Sequence, residues 1–398
     1  MIKLIEREQY LNKLIKVKNT PDIKVITGVR RCGKSKLLLS YIKWVEKNDK
    51  KANIIYLNLQ ETENEELLEY HKLHDYILTK YIKDKNNYLF IDEVQLCKQF
   101  EKAINSLHTK ELFDIYVTGS NAFLLSSDLA TLFTGRTFTI EVYPFSFKEF
   151  IKYYGSKNTY QSFDEYQKYG GFSGSYVYKS IEEKYEYIKN DIFETIVQRD
   201  IIQKYKIRNK ELFNNLVNYM IDNISNLCSI RNIVNYISSK GGTSSITTTS
   251  TYIKHLCKSF IIYDAKRFDI SGKRYLSSED KYYLVDPTIK YAVLGTKNMD
   301  IGRSLENIVY IELLRRGYEV YIGKLYKKEV DFVTMKQNEK IYIQVSNSIE
   351  DVKTKQREIE PLLQIKDAYK KMIITRTYTE SYDYEGIEII DISDWLLS

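Results

Sequence analysis

The amino-acid sequence predicts an α/β protein whose first part is built on a mostly parallel β-sheet. Two observations indicate this fold. Short apolar runs alternate with helical segments along the first part of the chain, and a glycine-rich turn, GVRRCGKS, joins one such run to a helix. The chain has 398 residues, of which 43% are hydrophobic and 28% charged, as in proteins that bury sizeable cores. With 16 glycines and 4 prolines, it is neither collagen-like nor linker-dominated.

Charge and cysteine usage narrow the class of protein. There are 60 Lys and Arg residues against 53 Asp and Glu, and the formal charge of +7 is compatible with nucleic-acid binding without requiring it. The four cysteines are widely spaced, which predicts reduced thiols rather than a disulfide framework. No apolar run approaches the roughly 18 residues of a membrane span. We therefore expect a cytoplasmic protein with no membrane partner.

A phosphate-binding loop is the strongest motif. Residues 23–27, IKVIT, have the apolar character of a buried parallel strand. The segment from Gly28 to Ser35 follows at once and matches GxxxxGK[ST], with helical apolar spacing after it. In such a P-loop, backbone N–H groups surround phosphate oxygens at a helix N-terminus, Lys34 reaches the β- and γ-phosphates, and the Ser35 hydroxyl binds Mg²⁺. The predicted nucleotide-binding residues in this segment are Gly28, Cys32, Gly33, Lys34, Ser35 and Lys36.

A second apolar run, YLFIDE, begins at Tyr88 and ends in two acids, Asp92 and Glu93. This is the pattern of a Walker B strand, in which the first acid holds Mg²⁺ and the second polarises the attacking water. Since the run follows a complete P-loop, we assign Asp92 to Mg²⁺ and Glu93 to catalysis.

Two weaker signals follow. The run that begins at Asp114 predicts a further strand with a polar end, where Ser120 and Asn121 are expected to sense the γ-phosphate; a helix N-cap is the alternative. Arg136 lies in a Gly-Arg turn before another strand and is a candidate arginine finger, acting in cis or from a neighbouring subunit of a homo-oligomer. The alternative is an ordinary surface arginine.

The order of GVRRCGKS, YLFIDEVQ, VTGSNAFLL, TGR and YPFSFKEF resembles a family of bacterial and archaeal P-loop ATPases of the AAA+ class (AAA-14-like). Members carry a C-terminal domain of unknown function, domain 4143, which is nuclease-like. The resemblance covers nearly the whole chain. It implies an AAA+-type ATPase domain over residues 1–155, with ATP as the nucleotide and Lys34, Glu93 and Arg136 as catalytic residues.

The middle of the chain predicts a helical connection over residues 156–205 and then three helices and a β-hairpin over 206–290, the pattern of a winged helix-turn-helix. Its candidate recognition helix spans about residues 248–259. The basic residues expected to meet phosphates of double-stranded DNA are Lys254 and Lys258 of that helix and Lys266, Arg267, Lys273 and Arg274 of the hairpin. A protein-contact module is the alternative.

Residues 291–398 resemble the PD-(D/E)XK nuclease core, in which acids hold Mg²⁺ and a lysine orients the attacking water. Carried over position by position, Glu306 and Asp331 match the acids, Gln344 replaces the second-strand acid, and Ser346 replaces the lysine. The expected strand register places Asp331 across from Gln344. We expect a domain without nuclease activity, retained for structure or binding.

The sequence as a whole predicts an ATP-hydrolysing molecular switch with ATP and Mg²⁺ as cofactors. Its C-terminal domains are expected to bind DNA or a protein partner. Two alternatives stay open: an ATP-regulated, metal-dependent nuclease, and a non-hydrolysing, ATP-gated scaffold.

Overall fold

The structure is a computed structural model that describes residues 5–119, 133, 135–296 and 300–398. The chain divides into two compact units, one that ends at Val142 and one that runs from Tyr143 to Ser398. Within the described residues, no helix is long and apolar enough to cross a bilayer.

The first unit contains a fully parallel sheet, with five strands among its described residues. The strands are β1 (Ile23–Thr27), β2 (Ala52–Asn58), β3 (Asn86–Asp92), β4 (Asp114–Thr118) and β5 (Thr137–Glu141). Their order across the sheet is β2-β3-β4-β1-β5. Because β4 lies between β1 and β3, the carboxyl ends of these three strands are neighbours at one edge of the sheet, where ligands of open α/β sheets bind.

Helices cover both faces of this sheet. They are α1 (Glu8–Lys16), α2 (Lys34–Asn48), α3 (Tyr70–Thr79) and α4 (Phe100–Thr109), with 3₁₀ turns at Thr62–Leu68 and Val94–Leu96. Alternate residues of a strand point to opposite faces: Leu89 and Ile91 of β3 pack in the core with α3 and α4, whereas Phe90 meets Tyr41 of α2 edge to face. The central strands β1, β3 and β4 are therefore buried on both faces, as their apolar sequences predict.

The acidic segment after β2 does not form one continuous helix. The chain forms a 3₁₀ turn, then an extended residue at Glu69, and only then α3. The Lys98 amide donates a hydrogen bond to the Leu68 carbonyl at 2.8 Å, and the backbones of Glu69 and Lys98 pair in an isolated parallel β-bridge. This long-range pairing interrupts the helix.

The second unit begins with helices. Its α-helices are α5 (Phe147–Tyr154), α6 (Thr159–Tyr169), α7 (Ile181–Tyr187), α8 (Lys210–Asp222), α9 (Ile230–Ser239), α10 (Ile246–Lys258), α11 (Thr288–Leu294), α12 (Ile301–Arg315), α13 (Val352–Leu363) and α14 (Ile392–Leu397). Two π-helical segments, Ile188–Glu194 and Ile196–Gln203, continue α7. Serine or asparagine side chains cap α8, α9 and α10.

A mixed sheet, eight-stranded in the described part of the second unit, completes the fold. The strands are β6 (Ile262–Asp269), β7 (Arg274–Leu284), β8 (Glu319–Leu325), β9 (Lys328–Lys336), β10 (Glu339–Ser346), β11 (Lys370–Thr375), β12 (Tyr382–Tyr384) and β13 (Ile387–Asp391). Their order is β12-β13-β11-β10-β9-β8-β6-β7. The β6–β7 hairpin, expected as a separate wing, is part of this sheet because Arg267 to Asp269 of β6 pair in parallel with β8. Residues on both sides of the expected boundary at 290 therefore share one sheet.

Candidate nucleotide-binding site

The P-loop joins the carboxyl end of β1 to α2. Gly28 has φ +134°, and a Cβ at this position would lie 2.1 Å from the Val142 carbonyl oxygen. Gly33 has φ +103° and is the N-cap residue of α2. The glycine at the N-cap has no side chain to cap α2, and the first turn of this helix carries no acidic residue. A helix N-terminus of this kind suits an anion such as phosphate.

Lys34 directs its charge into this loop. Its side chain is only 4% exposed, and Nζ donates hydrogen bonds to the carbonyl oxygens of Gly28 and Val29, both at 2.9 Å. The ammonium is thus held within the turn of the P-loop, where its charge adds to the positive end of the α2 dipole. Lys36, two residues on, is exposed on α2.

A second cation, which the sequence analysis did not select, contacts the same loop. Arg7, just before α1, is 4% exposed, and its Nη1 donates a hydrogen bond to the Cys32 carbonyl oxygen at 2.9 Å. Its guanidinium lies 4.6 Å from the centre of the Tyr10 ring. A single arginine well upstream of the motif gives no local signal of this contact.

Cys32 faces the interior of the protein. Its thiol belongs to a residue that is 1% exposed, and burial raises the pKa of the thiol despite the nearby positive charges of Lys34 and Arg7. Cys32 can therefore meet a nucleotide only through its backbone.

Hydrogen bonds connect the first Walker B acid, Asp92, to the P-loop and to the neighbouring strand β4. Asp92 is buried at the end of β3, and its carboxylate accepts hydrogen bonds from the Thr118 hydroxyl at the end of β4 and from Ser35 of the P-loop. Burial raises the pKa of Asp92, and these two hydrogen bonds oppose the rise. The predicted Mg²⁺ ligands, Ser35 and Asp92, are thus brought together.

Glu93 is held at the same strand end by its backbone and its side chain. Its φ of +56° lies in the left-handed region, and its amide donates a hydrogen bond to the Thr118 hydroxyl oxygen at 3.0 Å. Gln95 Nε2 donates a hydrogen bond to the Glu93 carboxylate. The Thr118 hydroxyl therefore accepts a hydrogen bond from the Glu93 amide and donates one to the Asp92 carboxylate.

Ser120 and Asn121 lie outside the described residues, so their predicted role as γ-phosphate sensors stays a prediction. At the end of β4, the residue that contacts the Walker B acids is Thr118, two residues before Ser120.

Arg136 lies at the other edge of the sheet. Its carbonyl accepts a hydrogen bond from the Ile23 amide, and Ile23 pairs with Thr137, so Arg136 sits beside the amino end of β1. The P-loop follows the carboxyl end of β1, four residues or about 13 Å further along. The structure therefore does not bring Arg136 to its own P-loop, and its side chain is exposed. Its role as an arginine finger stays a prediction.

The donor set at the carboxyl edge suits Mg²⁺ with a nucleotide triphosphate. Mg²⁺ prefers hard oxygen ligands and is typically bound through one or two carboxylates together with substrate phosphates. The Ser35 hydroxyl and Asp92 carboxylate supply such oxygens, and Lys34 supplies a cation for the phosphates. Glu93 is the adjacent carboxylate that can take a proton from water.

A second cluster of charged side chains occupies the second unit, around Lys281 of β7. Lys281 Nζ lies 2.9 Å from Glu306 Oε1 of α12 and 2.7 Å from Glu329 Oε1 of β9. Burial lowers the pKa of Lys281, but the carboxylates of Glu306, Asp331 and Glu329 outweigh it and raise the pKa overall. For Asp331, burial and the neighbouring Glu306 raise the pKa of the carboxyl well above its usual range.

The register that places Asp331 across from Gln344 has the expected side-chain consequences. The Asp331 amide donates a hydrogen bond to Gln344 Oε1 at 2.7 Å, and Asp331 Oδ2 accepts one from the Val345 amide at 2.8 Å. Gln344 Nε2 also donates to Glu358 Oε2 of α13 at 2.8 Å. Ser346 donates a hydrogen bond to the Ser348 carbonyl oxygen at 3.0 Å.

These residues do not fit the Mg²⁺ that a nuclease would need. The Lys281 ammonium contacts the carboxylates of Glu306 and Glu329, while Gln344 and Ser346 are neutral. Among the residues that the structure describes, no three His, Cys, Asp or Glu side chains are grouped as a metal site. The lysine that contacts the acids of this site is Lys281, which comes from the earlier strand β7.

The three helices α8, α9 and α10 precede the β6–β7 hairpin in the expected order. Lys254 is exposed on α10. In the hairpin, Lys266 pairs with Asp264 and Asp280, Arg267 with Glu279, and Arg274 with Asp269. Three of the four hairpin cations that were predicted to meet DNA are therefore in ion pairs with acids of the same hairpin.

Comparison with known proteins also indicates a P-loop AAA-type domain in the first part of the chain. A family model described as an AAA domain (AAA_14) matches residues 20–151, and one described as a domain of unknown function (DUF8612) matches residues 160–300. An uncharacterized protein of Haemophilus influenzae is 39% identical over 400 residues, covering 99% of both chains. The chain belongs to the same family as this protein, and its residues 20–151 form an AAA domain. The predicted P-loop AAA-type domain is thereby confirmed, whereas domain 4143 and the nuclease-like assignment stay predictions.

Two more distant similarities extend beyond bacteria. An uncharacterized protein of Methanocaldococcus jannaschii is 30% identical over 412 residues, which cover 99% of this chain and 90% of that protein. The solved Walker-type ATPase of Pyrococcus abyssi has 16% identity and a TM-score of 0.45, covering 73% of this chain and 95% of that one.

Proposed function

We propose that this AAA-domain protein binds ATP with Mg²⁺ and hydrolyses it. The observation that carries the proposal is the hydrogen-bonded group at one edge of the parallel sheet, in which Ser35, Asp92 and Thr118 lie together and Thr118 also fixes Glu93. Such a group supplies metal ligands and a base at the place where the P-loop would hold the phosphates.

Each side chain has a distinct role in this proposal. Lys34 neutralises the β- and γ-phosphates, and Ser35 and Asp92 hold Mg²⁺, which stabilises the charge of the transferred phosphoryl group. Glu93 accepts the proton of the attacking water. Thr118 keeps both acids in position.

The test is phosphate release from MgATP by the full chain, compared between wild type, Lys34→Ala and the control Lys43→Ala. Lys43 is exposed on the same helix α2 and has no assigned role. We expect Lys34→Ala to lose nucleotide binding and turnover and Lys43→Ala to match wild type. Equal turnover in all three proteins would contradict the proposal.

We further propose that ATP hydrolysis switches the state in which the second unit binds a partner, either double-stranded DNA or a protein. The exposed Lys254 of α10 supports a DNA contact, while the ion pairs of the hairpin leave few cations there for phosphates. Lys254→Ala should weaken binding to a DNA duplex at low salt, if DNA is the partner. Stimulation of ATPase turnover by DNA would favour DNA, and its absence together with no duplex binding would favour a protein partner.

The second unit is proposed to lack nuclease activity. Of its two candidate acids, Glu306 is paired with Lys281, and burial raises the pKa of Asp331 well above its usual range. The positions of the second acid and the lysine hold Gln344 and Ser346. The role of this region is then structural or in binding.

A further inference from the structure

The contact between Arg7 and the P-loop has a consequence for the direction of one backbone amide. Arg7 Nη1 donates to the carbonyl oxygen of Cys32, and that carbonyl belongs to the peptide unit that also carries the amide of Gly33. The described chain contains no cis peptide bond, and in a trans peptide the C=O and N–H groups point in opposite directions. The Gly33 N–H is therefore directed away from Arg7.

Gly33 is the residue at which such control matters most. It is the N-cap of α2, with φ +103° and no side chain to restrict it. Glycine populates left- and right-handed backbone regions with similar ease, so a peptide next to it can rotate at low cost. A hydrogen bond from a charged donor, buried away from water, holds that peptide in one orientation.

Arg7 also brings charge. Its guanidinium is buried, so its attraction for an anion in the loop is screened less than that of a surface arginine. Lys34 and Arg7 together bond to three carbonyl oxygens of the loop, those of Gly28, Val29 and Cys32. The loop is thus held from two sides by two buried cations.

We propose that Arg7 is a positioning residue of the nucleotide site, which holds the Cys32–Gly33 peptide so that the Gly33 amide faces the β-phosphate. This inference rests on the proposed ATP binding. It predicts that Arg7 discriminates between nucleotides by their phosphates: its contribution is made to ATP and ADP, which have a β-phosphate, and not to AMP.

The test measures the dissociation constants of MgADP and AMP by calorimetry for wild type, Arg7→Met, Arg7→Lys and the control Lys13→Met. Lys13 lies 5.7 Å from the Tyr10 ring, so the control also removes a cation near that ring. Arg7→Met is expected to weaken MgADP binding by about 10- to 100-fold, because one charge-assisted hydrogen bond is lost. The affinity for AMP should change much less. Arg7→Lys should recover part of the loss, and Lys13→Met should match wild type.

The ratio of the AMP and MgADP dissociation constants decides the outcome, because general damage to the site would weaken both ligands alike. A ratio in Arg7→Met equal to that of wild type would overturn the inference. If Arg7→Met does not fold, the same ratio in Arg7→Lys decides, and an unchanged ratio there overturns it too. Failure of wild type to bind MgADP and MgATP would instead refute the proposed function.

Discussion

Thr118 offers a sharp test of the site because its hydroxyl bonds to both Walker B acids. Replacing it by valine keeps the shape of the side chain and removes the oxygen. The Asp92 carboxylate then loses one of its hydrogen bonds and the Glu93 amide loses its acceptor at 3.0 Å. Asp92 and Glu93 are both still present in this variant, so the substitution changes only how their side chains are oriented.

The size of the effect follows from the charge of Asp92. A hydrogen bond to a charged group contributes about 1.5–3 kcal/mol, which corresponds to roughly 10- to 100-fold in a rate or binding constant. We expect kcat for ATP hydrolysis to fall by about this factor in Thr118→Val. Nucleotide affinity should change less, since Lys34 and the P-loop amides are untouched.

The pH dependence gives a second readout. Burial already raises the pKa of Asp92, and the Thr118 hydrogen bond lowers it. Without that bond the pKa rises further, and the ionised form that holds Mg²⁺ is lost at a higher pH. The acid limb of the kcat/KM profile, which reports groups of the free enzyme, should therefore move to higher pH in Thr118→Val.

The assay is steady-state phosphate release across pH, with Thr139→Val on the exposed face of β5 as control. Thr118→Val with wild-type kcat and an unshifted acid limb would refute the assigned geometry. So would the same loss in Thr139→Val.

Four further outcomes are expected. Arg136→Ala should abolish the rise of ATPase activity per chain with protein concentration, since Arg136 is too far from its own P-loop; full activity at every concentration would make it a surface arginine. Cys32 should resist iodoacetamide in the folded protein and react after unfolding, as mass spectrometry can show; rapid labelling of the native protein would contradict its burial. Lys281→Met should lower the free energy of unfolding by about 3 kcal/mol, because it leaves two paired carboxylates without their cation; a denaturant midpoint equal to wild type would refute this. The intact protein should not cleave DNA or RNA with Mg²⁺ or Mn²⁺, and cleavage that Asp331→Ala removes would restore the nuclease alternative.

The sequence was sufficient for the parts of the site that are local. The bounds of β1 agree with the apolar run 23–27, and the P-loop and the Walker B acids were identified because each motif lies within a few consecutive residues. The register of Asp331 and Gln344 was likewise predictable, since β9 and β10 are joined by a tight turn.

Contacts that depend on the order of distant strands could not be predicted in the same way. Thr118 reaches Asp92 only because β4 lies between β1 and β3. Arg7 lies 25 residues from Cys32 along the chain, and Lys281 lies 25 residues from Glu306, so no local sequence pattern indicates either contact. The pairing of β5 with β1 moves Arg136 to the far edge of the sheet.

Glu93→Gln tests the central claim, ATP hydrolysis at this site, most directly. The amide keeps the size of the side chain but cannot accept a proton from water. We predict that MgATP binds to Glu93→Gln about as tightly as to wild type, while phosphate release in a single turnover falls by at least about 100-fold. The control Glu46→Gln, exposed on α2, should hydrolyse ATP at the wild-type rate. Equal hydrolysis by wild type and Glu93→Gln would contradict the account.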